Sequence, residues 1–135
     1  MENCLFCKII NGEIPSYKIY ENDYVYAFLD IANDYFGNTL VIPKKHFENV
    51  FDCEDDYLSE IIKAVKLISN NYKNLGFIGV NVINASGKDA EQSVFHLHFH
   101  ILPRKENDGN KIWPTKEKKD FDLAKICDEL KIKEN

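Results

Sequence analysis

No stretch of this sequence approaches the ~20 consecutive apolar residues that cross a bilayer, so a membrane-spanning reading drops out. The opening residues, MENCLFCKII, place no basic cluster ahead of their apolar ones, which speaks against a secretory signal. Basic charge is not in excess either. A net charge of -5 argues against general nucleic-acid binding, which needs a basic face. The run Lys116–Lys119 (KEKK) reads as a solvated surface segment. Cysteine is scarce, and without a signal sequence the four present (Cys4, Cys7, Cys53, Cys127) point to a reducing compartment. The cytoplasm is the expected location, with the nucleus also open to such a chain. Repeats, low-complexity tracts and linkers are missing as well.

What is present is ordinary for a globular chain: 44% apolar and 29% charged residues. Its 135 residues suit one domain, 1–135, able to bury its own core. A short apolar segment, Cys4 to Ile10, stops at Asn11-Gly12 and predicts a turn or two of helix. Tyr17–Tyr20 and Tyr24–Ile31 are aromatic and β-branched and flank Glu21-Asn22-Asp23, a hairpin pattern. Asn38–Pro43 reads as another strand. Leu58, Ile61, Ile62, Val65 and Ile68 recur at helical spacing, with Glu54, Asp55 and Asp56 at the start and Gly76 at the end. Phe77–Asn84 and Val94–Pro103 follow as strands joined by a polar loop, and Asp122–Leu130 shows a last helical period. Strands and helices do not alternate regularly, which predicts an α+β fold with a mainly antiparallel sheet.

The segment FHLHFHIL holds three of the four histidines, two residues apart. On an extended strand His96, His98 and His100 share one face, and Phe95, Leu97, Phe99 and Ile101 share the other. Three readings compete. The bland one is a surface strand, which makes the alignment of three scarce residues a coincidence. The second is a metal site completed by ligands from elsewhere. The third is catalysis, in which neighbouring rings fix each other's tautomer and a neutral imidazole attacks phosphorus. Spacing alone does not choose between the last two. Cys4-Leu5-Phe6-Cys7 is open in the same way: a redox pair, two small packing residues, or half of a zinc site. No thioredoxin-like context follows it. Cys53 and Cys127 read as packing residues.

The surrounding residues add a family resemblance. QSVFHLHFHILPR resembles the signature of the histidine triad (HIT) family, and CLFCKIINGEIPSYKIYENDYVYAFLDI and NTLVIPKKHFENV resemble its N-terminal half in order and spacing. The resemblance covers residues 4–103, leaving 104–135 as a tail. Gln92-Ser93 before the triad and Trp113-Pro114 after it are similar to the Hint (histidine triad nucleotide-binding) branch. The resemblance implies a five-stranded antiparallel sheet with one long helix and short ones, and a homodimer with a continuous ten-stranded sheet. It implies binding of purine nucleotides of the AMP type and hydrolysis of 5′-phosphoramidates or acyl adenylates through a nucleotidyl-histidine intermediate. His98 would be the nucleophile, with His96 and His100 completing the catalytic set. His100, Ser93, Gln92 and Asn84 would contact phosphate, and Asp30 the ribose hydroxyls. Phe6, Ile9, Phe28, Ile31 and Leu40 would line the base slot, although plain core packing explains apolar residues equally well.

Microbial members with this CxxC place structural zinc on residues corresponding to Cys4, Cys7, His46 and His96, and all four are present. Two positions depart from the family pattern: Asn38 stands where many members have histidine, and Glu91 where a glycine usually precedes the glutamine. The expected activity is that of an adenosine 5′-monophosphoramidase-like hydrolase. Dinucleoside polyphosphate hydrolysis, a metallohydrolase with zinc on the triad, and a scaffold that binds AMP without turnover are the competing readings.

Overall fold

The computed structural model describes residues 3–113 and 117–133. Its first hairpin is set by Asn22, whose side-chain oxygen accepts from the backbone N–H groups of Tyr24 (2.8 Å) and Val25 (2.9 Å). Such an Asx turn competes with continued extension and reverses the chain. β1 (Lys18–Glu21) and β2 (Val25–Leu29) therefore pair antiparallel, and β2 pairs in turn with β3 (Thr39–Pro43). β4 (Gly79–Ile83) and β5 (Phe99–Arg104) complete a five-stranded sheet in the order β1-β2-β3-β5-β4, antiparallel throughout. A six-residue helix, α1 (Leu5–Ile10), precedes the sheet. The long helix α2 (Asp55–Asn74) lies between β3 and β4, and α3 (Leu123–Leu130) lies beyond β5.

The period of two divides the strand residues between two clusters. Val25, Ala27, Val41, Leu97 and Ile101 pack with Ile61, Ala64, Val65 and Ile68 of α2. Phe28, Leu40 and Ile42 face the other way and pack with Phe6 and Ile9 of α1. All five residues of β3 are buried, as expected of a central strand covered on both sides. Each fully buried aliphatic side chain contributes roughly 1.5–3 kcal/mol. α2 begins with Asp55 and Asp56 in its first turn, where carboxylates complement the helix dipole. It ends in a Schellman motif: Phe77 N–H reaches Tyr72 O and Gly76 N–H reaches Lys73 O, both at 3.0 Å, with Gly76 at φ +105°. The Tyr72 and Thr39 hydroxyls, 2.6 Å apart, tie this helix to β3.

Two expectations need adjusting. Regular pairing of the last strand starts at Phe99 rather than Val94, because the preceding stretch leaves the ladder: Leu97 N–H bonds Phe47 O at 2.7 Å. Pro43, at the end of β3, has no N–H with which to continue the pairing. Phe95 is accordingly 43% exposed and does not join the core. Cys53 is buried as expected, whereas Cys127 is exposed on α3 and packs no core. Pro114 and Lys116 lie outside the described residues. Among the described residues no helix is long and apolar enough to cross a membrane.

The turn into β3 depends on Gly37. Its φ is +68°, and a Cβ there would stand 2.8 Å from Pro103 Cγ. Gly37→Ala combines a left-handed backbone cost with a clash against a rigid ring, and we expect it to destabilise the fold by about 2–4 kcal/mol. Urea denaturation measures this; a loss below about 0.5 kcal/mol would show that the turn relaxes freely.

Candidate active site

α1 and the exposed face of the sheet enclose a cavity of about 360 Å³. Phe6, Ile9, Phe28, Ile31 and Leu40 line one part of it, with Asp30 at the rim. Gln92, Ser93, His98 and His100 line the other. A pocket with apolar walls and a few convergent polar groups is the usual form of a small-molecule site. Phe6 stands edge-on to Phe28 (5.5 Å between centroids) and to His98 (5.2 Å), linking the apolar and the histidine-bearing parts. Ile31 is 82% exposed, so it forms an outer wall, while the other four apolar residues are buried.

Hydrogen bonds fix how each histidine faces this space. A carbonyl oxygen only accepts, so the ring nitrogen beside it carries the proton. His98 Nδ1 lies 2.8 Å from His96 O and donates to it, which leaves the lone pair on Nε2. His96 Nε2 donates to Pro43 O at 2.9 Å, leaving its lone pair on Nδ1. His100 Nδ1 meets the Asn38 side-chain oxygen at 3.1 Å. Burial holds the His98 ring below the usual imidazole pKa against the opposing effect of its carbonyl partner. His100 is lowered by burial and by His98 beside it, with Asp30 pulling the other way. Both rings are therefore neutral near pH 7.

Asn84, Gln92 and Ser93 are placed differently from one another. Asn84 donates to His98 O (3.0 Å) and accepts from the Ser86 hydroxyl (2.7 Å), and it does not line the cavity. The Gln92 amide donates to Glu48 O and Val94 O and accepts from Gly87 N–H and Asn49 Nδ2. Both of its N–H bonds are thereby used in holding the loop. Ser93 is exposed and lines the cavity. Asn49 and Ser86 support this loop without having been singled out, because polar residues in an aperiodic stretch carry no pattern to mark them.

Behind the triad, Cys4 Sγ, Cys7 Sγ, His46 Nδ1 and His96 Nδ1 converge within 4.8 Å of one another. His96 Nδ1 is 3.3 Å from Cys4 Sγ, 3.5 Å from Cys7 Sγ and 3.1 Å from His46 Nδ1. Tetrahedral bonds of about 2.0–2.1 Å to nitrogen and about 2.3 Å to sulfur put ligand atoms roughly 3.3–3.8 Å apart. The cluster therefore fits one tetrahedral metal ion, and two sulfur and two imidazole donors suit a borderline-soft one. The His96 ring is pushed down to about 4 by burial, so it offers a lone pair and not a charge. Burial and the neighbouring Cys4 push the Cys7 thiol up to about 11. Without a cation Cys7 holds its proton, and binding one releases it.

A sequence model described as HIT domain matches residues 11–107. The chain belongs to the HIT domain family. It is 48% identical over 128 residues to an uncharacterized HIT-like protein of Methanocaldococcus jannaschii, covering 95% of this chain and 98% of that one. It is 41% identical to the adenosine 5′-monophosphoramidase HNT1 of Saccharomyces cerevisiae over 96% of this chain and 82% of the relative. The crystal structure of a HIT family member from Bacillus subtilis superposes with a TM-score of 0.80 at 44% identity, covering 95% of this chain and 94% of the other.

The departure at Glu91 has a structural cost. This residue closes the short 3-10 turn Lys88–Ala90 with φ +67°, a left-handed conformation that glycine adopts without strain. Its carboxylate belongs to a residue that also lines the cavity. Glu91→Gly should raise stability by about 1 kcal/mol by removing the left-handed penalty. It should also strengthen binding of an anionic ligand such as AMP. Calorimetry and thermal denaturation check both; an unchanged or lower melting point would remove the strain argument.

Proposed function

We propose that this HIT domain, comprising the whole chain 1–135, hydrolyses purine nucleoside 5′-phosphoramidates or related nucleotidyl conjugates through a nucleotide–His98 intermediate. The observation that carries the reading is the His98 ring. Its Nδ1–H is committed to His96 O, which leaves the lone pair on Nε2 of a ring that lines a nucleotide-sized cavity. Nε2 forms a bond to the α-phosphorus while the phosphorus–amine bond breaks. The amine leaves with that electron pair and takes up a proton. Water oxygen then bonds phosphorus and gives up its proton to solvent, the phosphorus–Nε2 bond breaks, and its electron pair returns to the ring.

Asp30 accepts from the ribose hydroxyls, and Phe6, Ile9, Phe28 and Leu40, with Ile31 outside, enclose the base. Ser93 and His100 flank the phosphate. Gln92 and Asn84 serve it by holding the loop and the His98 backbone. The name of the yeast relative supports the phosphoramidate class. Zinc is the ion proposed for Cys4, Cys7, His46 and His96. Bound there it supplies a closed, structural crosslink, which the donor set supports. A homodimer formed by a second copy beside β4 is part of the same proposal. β4 is a sheet edge, and the exposed Ile78 and Val82 lie in or next to it.

Two experiments test the reading. Mixing the protein with an adenosine phosphoramidate should give a nucleotidyl adduct on His98 by mass spectrometry. His98→Ala should lose more than about 10³-fold in turnover while still binding AMP, because free water lacks the proximity of a positioned ring. A variant retaining about a tenth of the activity would end the covalent mechanism, and tight AMP binding with no adduct would favour a scaffold. For the metal, purified protein should hold about one zinc ion per chain at the Cys4, Cys7, His46 and His96 cluster. A Cys4→Ser, Cys7→Ser double variant should lose it and melt at a lower temperature. Full zinc occupancy in that double variant would eliminate this ligand set.

A further inference from the structure

Cys4 and Cys7 sit where both walls of the main cavity are fastened. Cys4 caps α1, its sulfur taking the Cys7 backbone N–H at 3.4 Å, and Phe6 and Ile9 of the same helix line the cavity. On the other side, the residues after His46 are laced to the segment that leads into the triad. Phe47 O accepts from Leu97 N–H at 2.7 Å, and Glu48 O accepts from the Gln92 amide at 2.7 Å. Ser86 Oγ takes the Val50 N–H at 3.1 Å. That segment carries Gln92 and Ser93 of the cavity wall. His96 completes the set and holds His98 through its carbonyl. A six-residue helix does not persist alone, so the placement of α1 against the other wall depends in part on the four side chains that converge between them. The cluster is also reachable. Cys4 and His46 line a broad surface cavity of about 670 Å³ with Asn3, Leu5, Glu48 and Phe95.

We infer that the Cys4–Cys7 pair is an oxidation site, at which an oxidant of the peroxide class forms a disulfide, expels the metal ion and loosens the nucleotide cavity. This rests on the zinc reading above. The two Sγ atoms lie within 4.8 Å of each other, three residues apart at the start of α1. A disulfide needs them at about 2.05 Å, whereas two thiolates on one tetrahedral ion stand roughly 3.8 Å apart. The two states exclude each other. Cys4, at the open cavity, reacts first with hydrogen peroxide. Its thiolate sulfur bonds one peroxide oxygen, the O–O bond breaks, and the departing hydroxide takes up a proton to become water. The Cys7 thiolate then bonds the sulfur of the resulting sulfenic acid, the S–O bond breaks, and a second hydroxide leaves as water with another proton. Two thiolates lose two electrons in all, and one peroxide gains them. His46 and His96 are then the donors that remain, two where a structural site needs four. The oxidised α1 is tied to itself and no longer to His46 and His96.

The test treats the reduced, zinc-loaded full chain with excess hydrogen peroxide beside a chromogenic chelator too weak to strip untreated protein. About one zinc ion per chain should be released, as one four-ligand cluster holds. Peptide mapping by mass spectrometry should find a Cys4–Cys7 disulfide. Cys127→Ser, which removes the exposed thiol on α3 as a competing site, should behave as the wild type does. Calorimetry should show AMP binding weakened at least about fivefold, the lower end of ordinary coupling between sites. Dithiothreitol with added zinc should restore it. Stripping the ion with a strong chelator under reducing conditions should weaken AMP binding to the same degree. Zinc that survives the peroxide, or that leaves without this disulfide, overturns the oxidation site. Release with an unchanged AMP affinity overturns the link to the cavity. A chain that takes up no zinc refutes the zinc reading and the expulsion with it. A loaded chain that binds no AMP refutes the nucleotide reading and the link, while zinc release and the disulfide still decide the oxidation site.

Discussion

Each of His96, His98 and His100 has one ring nitrogen tied to an oxygen that can only accept, and the arrangement around the cavity follows from that constraint. His96 is the clearest case. Its Nε2–H is held by the Pro43 carbonyl at the end of β3, and its Nδ1 turns to the cysteine–histidine cluster. Its own carbonyl receives the Nδ1–H of His98. One residue therefore joins the N-terminal helix, the central strand and the proposed nucleophile. A shift in the His96 ring would disturb the cysteine–histidine cluster and the orientation of His98 together, as outer-shell contacts orient the groups they hold.

The same strands serve as core and as site because their side chains alternate. Leu97 and Ile101 anchor the segment against α2, and His98 and His100, between and beside them, look out toward α1. Rigid packing on one face gives the histidines on the other face a fixed frame. α1 itself has six residues, far too few to persist alone. Phe6 and Ile9 hold it by burial on one side, and Cys4 and Cys7 by the cluster on the other. The apolar end of the cavity thus depends on the same N-terminal segment that supplies the thiols.

The two departures from the family pattern differ in physical character. Asn38 keeps a connected network, because its amide has a partner at each end. Glu91 has a left-handed backbone and a carboxylate in a residue at the cavity wall. Local strain of this kind persists only where the surroundings over-determine it. Here Gln92, with its amide fully engaged by Glu48, Asn49, Gly87 and Val94, supplies that determination one residue away.

Periodicity alone made much of the fold legible. The alternation of YVYAFL and the helical spacing of Ile61, Val65 and Ile68 follow from the two repeats that burial imposes, and both elements formed where the pattern lay. The spacing of His96, His98 and His100 pointed to a shared face, where His98 and His100 do line one cavity, and the family motifs named Cys4, Cys7 and His46, which do converge on His96. Sequence did not decide which nitrogen of each ring is free, since that depends on acceptors far along the chain: Pro43 for His96, and Asn38 held by Asp30 for His100. Nor did it show that Gln92 and Asn84 turn their amides inward to hold the loop and the His98 backbone, or that regular pairing begins only at Phe99. Side-chain period is a local property that the chain carries in its order, whereas hydrogen-bond direction is settled only when distant donors and acceptors meet.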